Sequence, residues 1–313
     1  MFNEFKKDHD IENDYYGYIR LDADNIVAPD FLTKLNNCMQ NSGFDEAVTY
    51  RNAKNLGENI VSAMCGMNVY STTVVGLRPR SVLKTNQQVY GPGACFRSYL
   101  LKDGWNWTGL TEDLDIESDM TAKGIKLGYC EEATFYEEEP TTMKLFVRQQ
   151  MRWAKGGILS FKNYSWPLMK SFFRKPTWSK YDIYWQFFPY SLVTFYLNLI
   201  YNLTSLILFF ILGNNGYNWW NFANFNLTLF GGIYAGAFVI NLVTIIKEWK
   251  HFHLNIGRTI LYIFIFPIYN VLSLPIAAVS VFMNVKWKHI DHHFVADAKD
   301  LVNEENNKKK HNK

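Results

Sequence analysis

Thr111-Glu112-Asp113 and, further along, Gln149-Gln150-Met151-Arg152-Trp153 bound the stretch that decides how this 313-residue chain reads. An acidic triplet followed by Gln-x-x-Arg-Trp is hard to explain as packing. Pro140-Thr141-Thr142 is a helix start signal and Gly156-Gly157 weakens the far end, so the pattern predicts a helix over 143–162. On such a helix Gln149, Arg152 and Trp153 stand at i, i+3 and i+4 and share one face. That face presents an amide, a fixed cation and a large aromatic plane. Thr111 reads as the cap of an earlier helix, with Glu112 and Asp113 in its first turn, where the macrodipole favours negative charge. Acidic first turns are common, so this placement alone carries no function.

Working outward, residues 15–24 run through a short strand-like segment into Asp22-Ala23-Asp24. Open α/β sheets place ligand groups at such strand ends. In extended chain the two aspartates point the same way and repel each other unless a cation lies between them. The alternative is an aspartate-rich turn capping a helix near Pro29-Asp30. Residues 47–51 read as a strand and 59–77 as a helix. In 88–96, Gly91 and Gly93 sit between apolar strand residues and permit either a close backbone approach by a ligand or a plain hairpin turn. Asp115, Glu117 and Asp119 read as solvated, residues 124–135 as a turn and a buried strand, and Glu137-Glu138-Glu139 as a charged loop.

An amide, a cation and an indole on one face, with carboxylates elsewhere, suit sugar-nucleotide chemistry. A departing diphosphate needs a cation, and a sugar ring needs an aromatic platform with hydrogen-bonding partners. Asp22-Ala23-Asp24, Thr111-Glu112-Asp113 and Gln149-x-x-Arg152-Trp153, in that order and spacing, resemble the motifs of the processive membrane glycosyltransferases of family 2. That group holds the cellulose, chitin, hyaluronan and poly-N-acetylglucosamine synthases. Gly104-Trp105-Asn106 and Glu139-Pro140-Thr141-Thr142 add to the likeness, which covers about residues 15–175. The resemblance implies an α/β, GT-A-like nucleotide-sugar transferase domain followed by an interfacial helix and a transmembrane region. It implies that the domain is incomplete, since the family carries βα units and a uracil-contacting aspartate before the metal motif.

By that resemblance Asp113 is the catalytic base, Asp22, Asp24 and Arg152 bind the donor, and Asp24 holds Mg²⁺ or Mn²⁺. Gln149, Trp153 and Gly93 then meet the acceptor. The implied partners are a UDP-sugar, a polysaccharide or lipid-linked acceptor, membrane lipid and an accessory membrane subunit. The implied reaction is inverting transfer of a hexose, N-acetylglucosamine first and glucose second. The competing reading is a catalytically inactive, truncated membrane subunit.

A formal charge of +3 without a basic, aromatic-interleaved stripe excludes nucleic acid as a partner. Cys38, Cys65, Cys95 and Cys130 form no CxxC and read as reduced cytoplasmic thiols. No charged residue occurs between Asp182 and Lys247, which is foreign to a soluble domain. Residues 184–212 and 226–246 are each long enough to span a bilayer, joined by a loop with Trp219-Trp220 at the interface. A third apolar segment, 259–283, is interrupted by Pro267 and Pro275. Its 25 residues favour a full crossing over a re-entrant course. Basic flanks at 174–180 and 247–258 place the catalytic part of a multi-pass cell-membrane protein in the cytoplasm. The chain thus divides into a catalytic domain (1–142), an amphipathic interfacial region (143–180), a transmembrane region (181–285) and a basic tail (286–313). His251, His253, His289, His292 and His293 read as interfacial residues rather than metal ligands.

Overall fold

The computed structural model describes residues 2–212, 219–252, 256–286 and 297–302. A short α1 (Phe2–Phe5) precedes β1 (Gly17–Arg20), β2 (Ile26–Val27), α2 (Phe31–Ser42) and β3 (Glu46–Ala53). Helix α3 (Ile60–Ser71) runs through a π-helical stretch (Thr72–Leu77) into α4 (Arg78–Leu83). Strand β4 (Ala94–Arg97), helix α5 (Glu112–Lys123) and strand β5 (Leu127–Glu137) complete the α/β unit. Its five strands form one mixed sheet in the order β1-β4-β3-β5-β2, with β3 and β5 parallel and the other pairs antiparallel.

Strand β3 is central and almost wholly buried, because both sheet faces are covered. Its side chains alternate between two cores. Val48 and Tyr50 face the core shared with α3 and α5, while Ala47 faces the smaller core that α2 closes with Phe31, Leu35 and Met39. Asn59 starts α3 with a capping box: its side chain accepts from the Val61 and Ser62 amides, and its own amide donates to Ser62 Oγ. The run Ile60–Leu83 is long and apolar enough to cross a membrane, yet most of it is buried between β3 and the membrane helices. It is a core helix.

Helix α6 (Met143–Arg174) begins at Thr142, whose hydroxyl accepts from the Leu145 amide. It covers the basic and aromatic stretch 144–173 as one helix, and Gly156-Gly157 does not break it, because Gly156 is the point where α6 crosses α5. A Cβ there would strike Thr111. Replacing Gly156 with Ala is therefore expected to destabilise the protein by about 1–3 kcal/mol through overpacking. Gly157→Ala, whose Cβ would meet only Leu114 Cδ1 at 3.7 Å, should be neutral or slightly stabilising. Paired thermal melts of the two variants check the contrast.

Helices α7 (Trp178–Phe187) and α8 (Tyr190–Leu212) divide the expected first span at Pro189, whose ring disfavours helical geometry in the preceding residue. Helix α9 (Trp219–Glu248) follows. Both α8 and α9 qualify as membrane spans and expose Leu197, Ile200, Phe210, Leu227 and Ile246, a surface that fits lipid. Asn226 joins them, donating to Asn202 Oδ1 at 2.8 Å and accepting from Asn198 Nδ2 at 3.1 Å. Interhelical amide bonds of this kind hold spanning helices together where burial of apolar surface supplies no force.

The inner end of α9 is fastened to the α/β unit. Glu248 is fully buried and accepts from the Tyr50 hydroxyl at 2.7 Å and from the Arg78 guanidinium. The third apolar segment is two helices, α10 (Ile256–Ile265) and α11 (Pro267–Ser280), parted at Phe266 before Pro267. Taken together, Ile256–Ser280 is long and apolar enough to cross a membrane. Phe252, just before α10, packs on Tyr70, and Lys155 of α6 donates to the Val281 carbonyl just past α11. Leu301 is buried in the α2 core beside Phe31 and Phe135. Both ends of the segment thus contact α3 or α6. The loop at 213–218, His253, the histidines at 289–293 and the lysines at 308–310 lie outside the described residues; His251 stacks obliquely near Tyr50.

Three polar expectations are corrected. Cys38 and Cys130 form a disulfide, because α2 packs on β5 and brings their Cα atoms to 5.8 Å; Cys65 and Cys95 are free and buried. Asp115 and Glu117 are buried rather than solvated, since α5 is covered by α6 and the sheet, and Asp119 is half-buried under Trp107 Nε1 at 3.2 Å. The Glu137–Glu139 run is no solvated loop: Glu137 ends β5 and pairs with Arg51 at 2.7 Å, with Glu139 3.6 Å from the same guanidinium.

Candidate active site

A cleft of about 750 Å³ opens where the ends of β1, β3 and β5 meet the first turn of α5 and the second turn of α6. Asp22, Asp24, Asp113, Gln149, Arg152 and Trp153 all line it. Three stretches far apart in sequence thus converge. Gly93 does not join them. It has φ +78°, and a Cβ there would strike Phe135 and stand 2.6 Å from Thr49 Oγ1, so it serves the packing of β3 and β5. Gly91, with φ +77°, is the glycine on the cleft wall, flanked by Arg20 and Asp113.

The Asp-x-Asp segment is a turn rather than extended chain. Asn25 N donates to the Asp22 carbonyl at 3.1 Å, and the Asp22 amide donates to Asn25 Oδ1 at 2.9 Å. Lys54 Nζ donates to the Asp24 carbonyl at 2.9 Å, and the Glu138 amide to Asp24 Oδ2 at 3.3 Å. Asp30 stands at the N-cap of α2, but its side chain makes no capping bond.

Asp113 lies in the first turn of α5, where its Oδ1 accepts from the Leu114 amide at 3.0 Å. Burial pushes its carboxyl up to about 6; the neighbouring Glu112 carboxylate adds to the rise, while Arg20, the Leu114 amide and Arg152 oppose it. A carboxylate poised there can exchange a proton near neutral pH. Arg152 is aimed from α6 by its Nη1 bond to the Leu110 carbonyl at 3.0 Å. Gln149 presents a buried side-chain oxygen with no hydrogen-bond partner among the described residues, while the adjacent Gln150 is used up on Tyr269 Oη at 2.7 Å.

Sequence reasoning missed several lining residues. Arg20, the last residue of β1, stands two positions before Asp22. Arg51 stands behind the Asp-x-Asp turn at the end of β3, and Glu137 beside it is pushed up to about 8 by burial, tempered by Arg51. Tyr269 arrives from α11, and no local signal marks it.

Hard oxygen donors from Asp22 and Asp24 suit Mg²⁺ or Mn²⁺. Among the described residues no three His, Cys, Asp or Glu side chains gather closely enough to cage a metal.

A search among curated proteins finds none that matches the chain. The family model described as glycosyl transferase family group 2 matches residues 19–240, which run from within β1 through most of α9 and include every cleft residue named above except Tyr269. With that match over more than half its length, and with the acidic, basic and aromatic groups of its motifs gathered on one cleft, the chain belongs to glycosyl transferase family group 2.

Proposed function

We propose that the chain transfers a hexose from a UDP-sugar, with inversion, to a growing polysaccharide or lipid-linked acceptor at the cytoplasmic face of a membrane. The observation that carries this reading is the meeting of Asp22, Asp24, Asp113, Gln149, Arg152 and Trp153 on one cleft. In the step envisaged, the acceptor hydroxyl oxygen bonds to the sugar C1 as the C1–O bond to the diphosphate breaks. The hydroxyl proton passes to Asp113, and UDP departs. Arg152 offers its fixed charge to the leaving diphosphate, and Trp153 offers a ring face to the acceptor sugar, with the Gln149 oxygen as a hydrogen-bond acceptor. Asp22 and Asp24 would hold the donor with Mg²⁺ or Mn²⁺, an ion that neutralises diphosphate charge when bound.

A polymeric acceptor is favoured by a second cavity of about 560 Å³ that shares Asn68, Thr72, Tyr90 and Tyr269 with the cleft and reaches Gly232 and Gly236 of α9. The arrangement supports a route for the product toward the membrane helices. UDP release by the membrane fraction, measured with each UDP-sugar and with a chelator, tests the reading. The expected result is chelator-sensitive release, fastest with UDP-N-acetylglucosamine. No release with any donor would instead favour an inactive subunit.

A further inference from the structure

Arg20 ends β1 two residues before Asp22, but its side chain turns to the opposite wall of the cleft. Its Nη1 donates to Glu112 Oε1 at 3.1 Å, a link between residues 92 apart in sequence. Its guanidinium lies 5.9 Å from the centre of the Trp105 ring, which backs it. Trp105 is itself held, its amide donating to Asn3 Oδ1 at 2.6 Å and its Nε1 to the Trp107 carbonyl at 2.8 Å. Arg20 is 17% exposed and Glu112 35%, so the pair is partly withdrawn from water and less screened than a surface pair. The Cβ direction of Gly91 places Arg20 Nη2 at 3.6 Å and Asp113 Oδ2 at 3.9 Å from one point, so both groups flank the same glycine. Any side chain at position 91 would enter the space between them.

Resting on the reading of Asp113 as the base, we propose that Arg20 is a positioning residue for it, joining the Asp-x-Asp turn to the acidic triplet through Glu112. The pair does two things. It fixes the first turn of α5, and so the Asp113 carboxyl, against the donor-binding turn. It also offsets the Glu112 charge, which, after burial, raises the proton affinity of Asp113. The charged and titratable groups around Asp113 are Glu112 and, one turn on, Glu117 from its own helix, Arg20 from β1, Arg152 from α6 and Tyr90 from the loop before β4. Of the cations, Arg20 opposes protonation more strongly than Arg152.

The test is the pH dependence of kcat/KM for UDP release by the full chain in membranes, in the Arg20→Gln, Arg20→Lys and Glu112→Gln variants. Arg20→Gln removes the favourable cation, so the acid limb should move to higher pH by about one unit. Glu112→Gln removes the unfavourable carboxylate and should move it to lower pH. Arg20→Lys should restore most of the wild-type limb. A purely structural pair would lower activity without moving the limb, so an unmoved limb, or two shifts of the same sign, overturns the proposal. Thermal melts confirm that each variant folds, and the Glu112→Gln arm stands alone if Arg20→Gln does not. If Asp113→Asn keeps wild-type activity, the base assignment itself fails, an outcome distinct from an unmoved limb.

Discussion

Asp113→Asn is expected to cut kcat for UDP release by about 10²–10⁴-fold, the usual worth of a positioned general base. Asparagine preserves the shape of the side chain and the oxygen that accepts from the Leu114 amide, so the first turn of α5 should stay intact. The lost capacity is proton acceptance. In the wild type that capacity depends on pH in a definite sense. The charged carboxylate is the active form, and burial has raised its pKa to about 6, so activity should climb as pH rises through about 6 and level off above it. The variant should show no such climb. Purified protein in lipid, assayed for UDP release between acidic and mildly alkaline pH, checks both the loss and the missing limb. A variant with full turnover and an unchanged profile would remove Asp113 from the chemistry.

Glu248→Ala is expected to produce the largest loss of stability. The carboxylate is fully buried at the inner end of α9 and accepts from Tyr50 of β3 and from Arg78. Removing it strands a buried phenol and a partly buried guanidinium, at a cost of about 2–4 kcal/mol. Arg78 keeps its second partner, Glu131 at 2.6 Å, which holds the loss below that of a fully orphaned charge. A fall in Tm of several degrees, read by tryptophan fluorescence in detergent, is the expected outcome. Glu131→Ala removes only the exposed half of the arrangement and should change stability by less than about 1 kcal/mol. Joint replacement of Arg78 and Glu248 by Met and Leu should recover part of the Glu248→Ala loss, because no buried charge is then left unmatched. Equal melting of wild type and Glu248→Ala would show that α9 is not fastened through this carboxylate.

Much of the cleft was legible in the residues themselves. Asp22, Asp24, Asp113, Gln149, Arg152 and Trp153 were singled out by their motifs and all line the cleft, and α6 follows from its cap and its apolar face. Gly93 misled because a glycine at positive φ looks alike whether it admits a ligand or a neighbouring ring, and here the ring of Phe135 takes the space. Asp115, Glu117 and Glu139 misled because a run of acidic residues gives no sign of what will cover it. The Cys38–Cys130 bond was hidden for the same reason: whether two thiols meet depends on how α2 lies on β5.

Local pattern alone determined the individual strands and helices, the long amphipathic helix and the apolar spans, because these depend on periodicity, capping and composition within a few turns of chain; the α/β class came from the resemblance of three motifs. Tertiary structure alone decided that Arg20 meets Glu112, that Tyr269 lines the cleft, that Glu248 ties α9 to β3, and that Lys155 of α6 holds the Val281 carbonyl past α11. Those outcomes rest on which surfaces pack together, and burial, charge pairing and proton affinity are set by neighbours that sequence distance does not reveal.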